Sequence, residues 1–179
     1  TEYTEVDLSG MDDLTIQDMI DIQKNLANEL ASLAALEATT SFAQEMAVKA
    51  SGKPIEFFKL MPRAKIKQVQ TAILLSLNAK AKSDPKKHIV KFDAPYTYNG
   101  EEKEDIKGKT FESVDLSGVG ELNTMSESMA ENRLAGYGFT AVNTGHNYAY
   151  VCIIASMGTG YPMDFFTGLP LCEAAKLRD

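Results

Sequence analysis

The five residues Val6-Asp7-Leu8-Ser9-Gly10 return unchanged as Val114-Asp115-Leu116-Ser117-Gly118, so that residue 114 stands for residue 6, an offset of 108. The same offset holds without a gap for Leu14 and Leu122, and for Leu26-Ala27 and Leu134-Ala135. It continues through Ala47 and Ala155, Gly52 and Gly160, Pro54 and Pro162, Phe57-Phe58 and Phe165-Phe166, and Pro62 and Pro170. A shared register from Val6 to Pro62 marks a tandem duplication, and a duplicated chain folds as two similar units. The repeat therefore divides the chain into residues 1–83, a first helical repeat; 84–110, a linker with a β-hairpin; and 111–179, a second helical repeat whose last helix is incomplete.

The matched residues are mostly punctuation and core. Ser9-Gly10 is a turn signal. Thr15, with Asp18 three residues on, makes an acidic variant of the capping box. Met19, Ile22, Leu26, Leu30, Leu33 and Leu36 then fall three or four apart, the stripe of one long amphipathic helix. Ser41-x-x-Gln44 opens a second helix with Phe42, Ala43, Met46, Ala47 and Ala50 facing inward. Gly52 suits the left-handed position that ends a helix, and Pro54 the first turn of the next. A short helix over residues 55–60 follows, and Pro62 restarts the chain into a last helix with apolar positions Ile66, Val69, Ala72, Ile73 and Leu77.

In the second copy the first helix is weakened by Gly136, Gly138 and Gly145, leaving residues 123–134 as its helical part. The residue aligned with Asp179 is Thr71, so residues 1–179 hold no second copy of Ala72 to Leu77. Apolar surface is left there for the other repeat or another molecule, a further copy of this chain included. Between the copies, residues 78–87 form a polar, basic linker with Pro85. The period then changes: Ile89, Lys91 and Asp93 alternate with Val90, Phe92 and Ala94, and Tyr96-Thr97-Tyr98 precedes Asn99-Gly100. This is a strong short hairpin signal, with the return strand expected over residues 101–106. The fold class is mainly α, two tandem helical repeats with a small β-hairpin between them.

At 179 residues, 44% hydrophobic and 24% charged, the chain has the composition of an ordinary globular protein. No apolar run reaches 18 residues, so neither a membrane span nor a signal peptide is expected, although the chain begins at Thr1 rather than Met. The net charge of -7 argues against general nucleic-acid binding. The charge is uneven: seven acids and no Lys or Arg lie in residues 2–21, whereas residues 63–87 are mostly basic, so a regulator binding nucleic acid through 63–87 stands as a third reading. The two cysteines, Cys152 and Cys172, sit in apolar sequence and read as reduced thiols.

Catalytic constellations are not found in the sequence. His88 and His146 have no acids or cysteines at metal-ligand spacing. Gly158-Thr159-Gly160 corresponds to Ala50-Ser51-Gly52, a helix end rather than a phosphate loop. Asp12-Asp13 lies at a helix start, Asp7 and Asp115 read as turn residues, and Cys152 has no neighbouring base. No cofactor, metal or catalytic residue is expected. Adjacent residues on a helix point about 100° apart, so one ring of each pair Phe57-Phe58 and Phe165-Phe166 is a candidate for contact with a partner. The alternative, both rings wedged between helices, stands beside it.

Several segments resemble the phage tail assembly chaperones of Gram-positive bacteria and their prophages. They are Thr1-Glu2-Tyr3-Thr4-Glu5-Val6-Asp7-Leu8-Ser9-Gly10 with Leu14-Thr15 and Asp18; Pro95-Tyr96-Thr97-Tyr98-Asn99-Gly100, similar to an extended Pro-Tyr-x-Tyr/Phe-x-Gly segment of that family; and Asn147 to Ser156 with Thr159 to Phe166 and Leu169-Pro170. The chain departs from the family by being doubled, by extra residues between Gly100 and Phe111, and by stopping before the last helix of copy two. The resemblance implies a non-catalytic protein of the host cell cytoplasm that binds the tape measure protein and helps recruit tail tube subunits. Family members often have a short form and one extended by ribosomal frameshifting, so Asp179 stands either as a boundary of that kind or as an artificial end of the chain. The alternative is a structural virion component, such as a tail or head-completion protein.

Overall fold

The computed structural model describes residues 5–27, 33–78, 88–141 and 144–179. It is mainly helical, with one small antiparallel sheet, and the repeat is visible element by element. In the first repeat a 3-10 turn, Ser9–Asp13, precedes α1 (Ile16–Leu26), α2 (Thr40–Ser51), α3 (Ile55–Lys59) and α4 (Arg63–Asn78). The hairpin follows as β1 (Ile89–Thr97) and β2 (Thr110–Asp115). The second repeat has the turn Ser117–Glu121, then α5 (Thr124–Gly136), α6 (Tyr148–Thr159), α7 (Met163–Thr167) and α8 (Ala174–Arg178). The helices α1, α2 and α3 begin 108 residues before α5, α6 and α7.

Local chemistry explains why the boundaries coincide. Thr39 caps α2 by accepting from the Phe42 N–H at 3.1 Å, and Asn147 caps α6 by accepting from the Tyr150 N–H at 3.2 Å. Both helices end on a glycine at positive φ, 67° at Gly52 and 72° at Gly160, a conformation that costs a side-chain-bearing residue. In the last turn Ser51 donates to the Ala47 carbonyl and Thr159 to that of Ala155. The expected box at the start of α1 is present: Asp18 Oδ2 accepts from the Thr15 N–H at 2.9 Å and the Thr15 hydroxyl at 3.0 Å.

Two expectations about the helices are corrected. The stripe from Met19 to Leu36 does not belong to one helix: α1 ends at Leu26, and Leu33–Ala38 is a separate 3-10 segment that places buried Leu36 at the start of α2. There the Leu36 carbonyl accepts from the Thr39 hydroxyl. Leu30 lies outside the described residues, as does most of the basic linker, 79–87. Ala72, expected inward, is exposed on α4.

The hairpin also differs. Its return strand is β2, not residues 101–106: Ile89 pairs with Asp115, Val90 with Val114, Tyr96 with Phe111 and Thr97 with Thr110. The second strand thus belongs to the start of repeat two. Asn99-Gly100 opens a longer loop because the Asp164 carboxylate on α7 gathers that loop, accepting from the Tyr98 hydroxyl at 2.7 Å and from the N–H groups of Glu101 and Glu102 at 3.0 and 3.2 Å. Pro95, which lacks an N–H, sits where the register breaks between Lys91 and Tyr96.

The two repeats share one core and pack head to tail. The first turn of α1 bridges to the segment after α7: the Ile16 N–H donates to the Leu169 carbonyl at 3.0 Å, and the Leu171 N–H to the Leu14 carbonyl at 2.8 Å. On α1, Ile16, Ile20 and Gln23 share a face and are buried. Their counterparts on α5 are Thr124, Ser128 and Glu131, all exposed. Head-to-tail contacts propagate unless an outer face is polar, and α5 carries such a face.

Candidate functional site

The four phenylalanines singled out by the sequence are placed by the fold as follows. Phe58, Phe165 and Phe166 are fully buried, so none of the three is presented to a partner. Phe165 lies in an aromatic box: Tyr161 stacks on it at 4.7 Å, and Tyr96, Phe111 and Phe166 meet it edge-on at 5.1 to 5.3 Å. Phe57 is half-buried against the edge of Phe58, with the Lys53 ammonium 5.0 Å from its ring centroid. Around Phe165 the hairpin supplies Tyr96 and Phe111, which the sequence spacing alone did not reveal.

Polar candidates resolve into structural roles. Asp7 Oδ1 accepts from the Ser9 N–H and Asp115 Oδ1 from the Ser117 N–H, both at 2.9 Å. The serine backbone and hydroxyl hold both carboxyls below their ordinary value. Burial alone pushes the Cys152 thiol far up, away from a reactive thiolate. Neither histidine belongs to a group of metal-ligand side chains among the described residues.

The one such group is Asp93, Cys172 and Glu173, and its acids already face a cation. Lys176 Nζ lies 2.7 Å from Asp93 Oδ1 and 2.9 Å from Glu173 Oε2, while the Asp93 N–H donates to Glu173 Oε1 at 2.7 Å. Burial works to lower the Lys176 pKa, and Asp93 and Glu173 override it, holding the ammonium above its ordinary value. The cluster fastens the irregular part of β1 to α8.

Beside that cluster lies an apolar groove of about 680 Å³. Its floor is Tyr150, Val151, Ile154 and Ala155 of α6. Leu116 and Val119 form one wall, and Ile89, Val90 and Leu177 the other. His88, Lys91, Lys176, Arg178 and Asp179 line it as well, and Arg178 pairs with Asp179 at 3.2 Å. A groove of this size lined by aliphatic and aromatic side chains suits the apolar face of a helix. No protein family, curated protein or solved structure matches this chain. The groove is the candidate site. Aligning the repeats sets its residues Tyr150, Val151 and Ile154 against buried Phe42, Ala43 and Met46, whereas β1 as a wall had no sequence signal. Among the described residues no helix is long and apolar enough to cross a membrane.

Proposed function

We propose that the chain is a phage tail assembly chaperone that binds the tape measure protein, helps recruit tail tube subunits, and performs no catalysis. The observation that carries this reading is the groove over α6, an apolar surface that the described residues leave open. Tape measure proteins are long and largely helical, and an amphipathic helix exposes a stripe that aggregates unless covered. A small helical protein with an open groove offers that cover. The motifs shared with the tail chaperones support the same reading, as do the caps, turns and ion pairs that hold Asp7, Asp18, Asp115 and Asp164. The chain acts, on this reading, in the cytoplasm of the infected host.

Co-expression tests it. A tape measure fragment made together with this chain is expected to move from the insoluble to the soluble fraction and to co-purify with it. Unchanged solubility without co-purification contradicts the reading, and recovery of the chain in purified virions by mass spectrometry favours a structural virion component instead.

A further inference from the structure

Two charged side chains of α8 tie it to different neighbours at the edge of the groove. Lys176 Nζ donates to the Lys91 carbonyl of β1 at 3.2 Å and pairs with Asp93 Oδ1 at 2.7 Å. Arg178 Nη1 donates to the buried Tyr148 hydroxyl, at the start of α6, at 3.2 Å. Between these two, buried Leu177 is an apolar lining residue of the groove. Glu173, just before α8, completes the β1 side: it lies 2.9 Å from Lys176 and accepts from the Asp93 N–H at 2.7 Å. Lys176 and Glu173 are buried, whereas Asp93 reaches water. The matching residues of α4, Gln68 and Lys65, are both exposed, so the buried charge at this place is peculiar to repeat two.

Burying an ion pair takes hydration from both charges, and their attraction in the closed state roughly offsets that loss. The pair therefore adds little net stability while intact, yet leaving one member buried without the other is costly. An opening that returns both ions to water is easy, and a half-open state is not. We infer that α8 is a latched flap on the groove: Lys176 with Asp93 and Glu173 holds it closed, and their release lifts Leu177 from α6 while the rest of the core stays folded. The ladder of β1 is already broken between Lys91 and Tyr96. The latch meets β1 at that break, so β1 keeps its pairing with β2 when α8 leaves. Opening removes one wall of the groove and widens access to Ile154 and Ala155. Such a flap gates any apolar ligand, so it stands or falls apart from the tape measure reading.

The two cysteines report the motion. Cys172 is half-buried in the turn Leu171–Glu173 that leads into α8, and Cys152 is fully buried on α6. An aromatic disulfide reagent is expected to modify Cys172 first. Followed across low denaturant concentrations, the Cys172 rate should stay nearly flat, because lifting α8 exposes little surface, while the Cys152 rate climbs steeply with global unfolding. Lys176→Met strands the Glu173 carboxylate and should speed Cys172 about tenfold or more, with its slope still shallow. Losing a neighbouring cation by itself slows a thiol's reaction, so a faster rate reports opening. Lys176→Met combined with Glu173→Gln removes both buried charges and keeps an acceptor for the Asp93 N–H. It should return the Cys172 rate to within about threefold of the parent. Asp93→Asn, at the exposed end of the pair, is the milder variant should Lys176→Met not fold, and is expected to speed Cys172 to a smaller degree. A Cys172 rate that climbs as steeply as that of Cys152 overturns the inference, since α8 would then open only with the whole core. So does a Cys172 rate unchanged by the single variants, or a double variant as fast as Lys176→Met alone.

Discussion

Gln23 of the first repeat holds the entrance of α6 in the second: its side-chain carbonyl accepts from the Tyr148 N–H at 2.9 Å, and its amide donates to the His146 carbonyl at 2.7 Å. The side chain is 2% exposed, so removing it strands two backbone groups away from water. Gln23→Leu is expected to destabilise the fold by about 1–3 kcal/mol. Glu131 occupies the same place in repeat two and is exposed, so Glu131→Leu should change stability by about 0.5 kcal/mol or less. Chemical denaturation of the two variants measures the difference.

A pair of close approaches gives a second prediction. A Cβ built on Gly10 would overlap the carbonyl oxygen of Ala50, and one on Gly118 would overlap that of Gly158, its counterpart; a Cβ on Gly120 meets open space. The Ser-Gly turn is therefore pressed against the last turns of α2 and α6 alike. Gly10→Ala and Gly118→Ala should each cost about 1–3 kcal/mol, the usual range for forced overpacking, while Gly120→Ala stays near neutral. Thermal melts of the three variants test this.

Asp164 ties the hairpin loop to α7, and its loss leaves the buried Tyr98 hydroxyl without that acceptor. Asp164→Ala should destabilise by about 2 kcal/mol. Burial first and Asp164 second push the Tyr98 phenol up to about 12, and the same causes push Tyr96 up to about 12. A phenol whose folded pKa exceeds its unfolded value near 10 stabilises the fold below pH 10, and that contribution is lost as pH rises from about 10 to about 12. Ultraviolet titration of the folded chain should show both tyrosines ionising late, with unfolding setting in over the same interval.

The acid side has its own group. Burial works to raise the Asp18 pKa, but Lys49, 2.8 Å away, and the Thr15 N–H and hydroxyl together hold it below its ordinary value of 3.8. A depressed carboxyl contributes stability above its unfolded pKa that is lost as pH falls through the folded one. Asp18→Asn should cost about 1 kcal/mol at neutral pH, comparable to losing a cap, and less than that below pH 3, which a series of denaturation curves from pH 7 to pH 2 resolves.

Much of the fold was readable because duplication checks itself. Gly52 and Gly160, Pro54 and Pro162, and the capping residue types mark the same boundaries twice, and local hydrogen bonding sets them. Long-range chemistry was not readable. Asn99-Gly100 looked like a tight turn because nothing nearby shows that Asp164 would gather the loop and hand the pairing to β2. The leucine stripe through Leu36 was satisfied by α1 and a separate 3-10 segment turned toward one core, since spacing alone does not distinguish these. One ring of the Phe165-Phe166 pair stood as a candidate for a partner beside the wedged alternative, and the hairpin closing around Phe165 decides for burial. The groove was half legible: the repeat sets its floor residues Tyr150, Val151 and Ile154 against Phe42, Ala43 and Met46, whereas its β1 wall depends on tertiary pairing.

A photocrosslinking amino acid placed at Ile154, with Leu75 as the exposed control position outside the groove, tests the central claim most directly. When the chain is co-expressed with a tape measure fragment, the probe at Ile154 should capture the fragment and the probe at Leu75 should not. Capture at Leu75 without capture at Ile154 would contradict a helix seated in the groove.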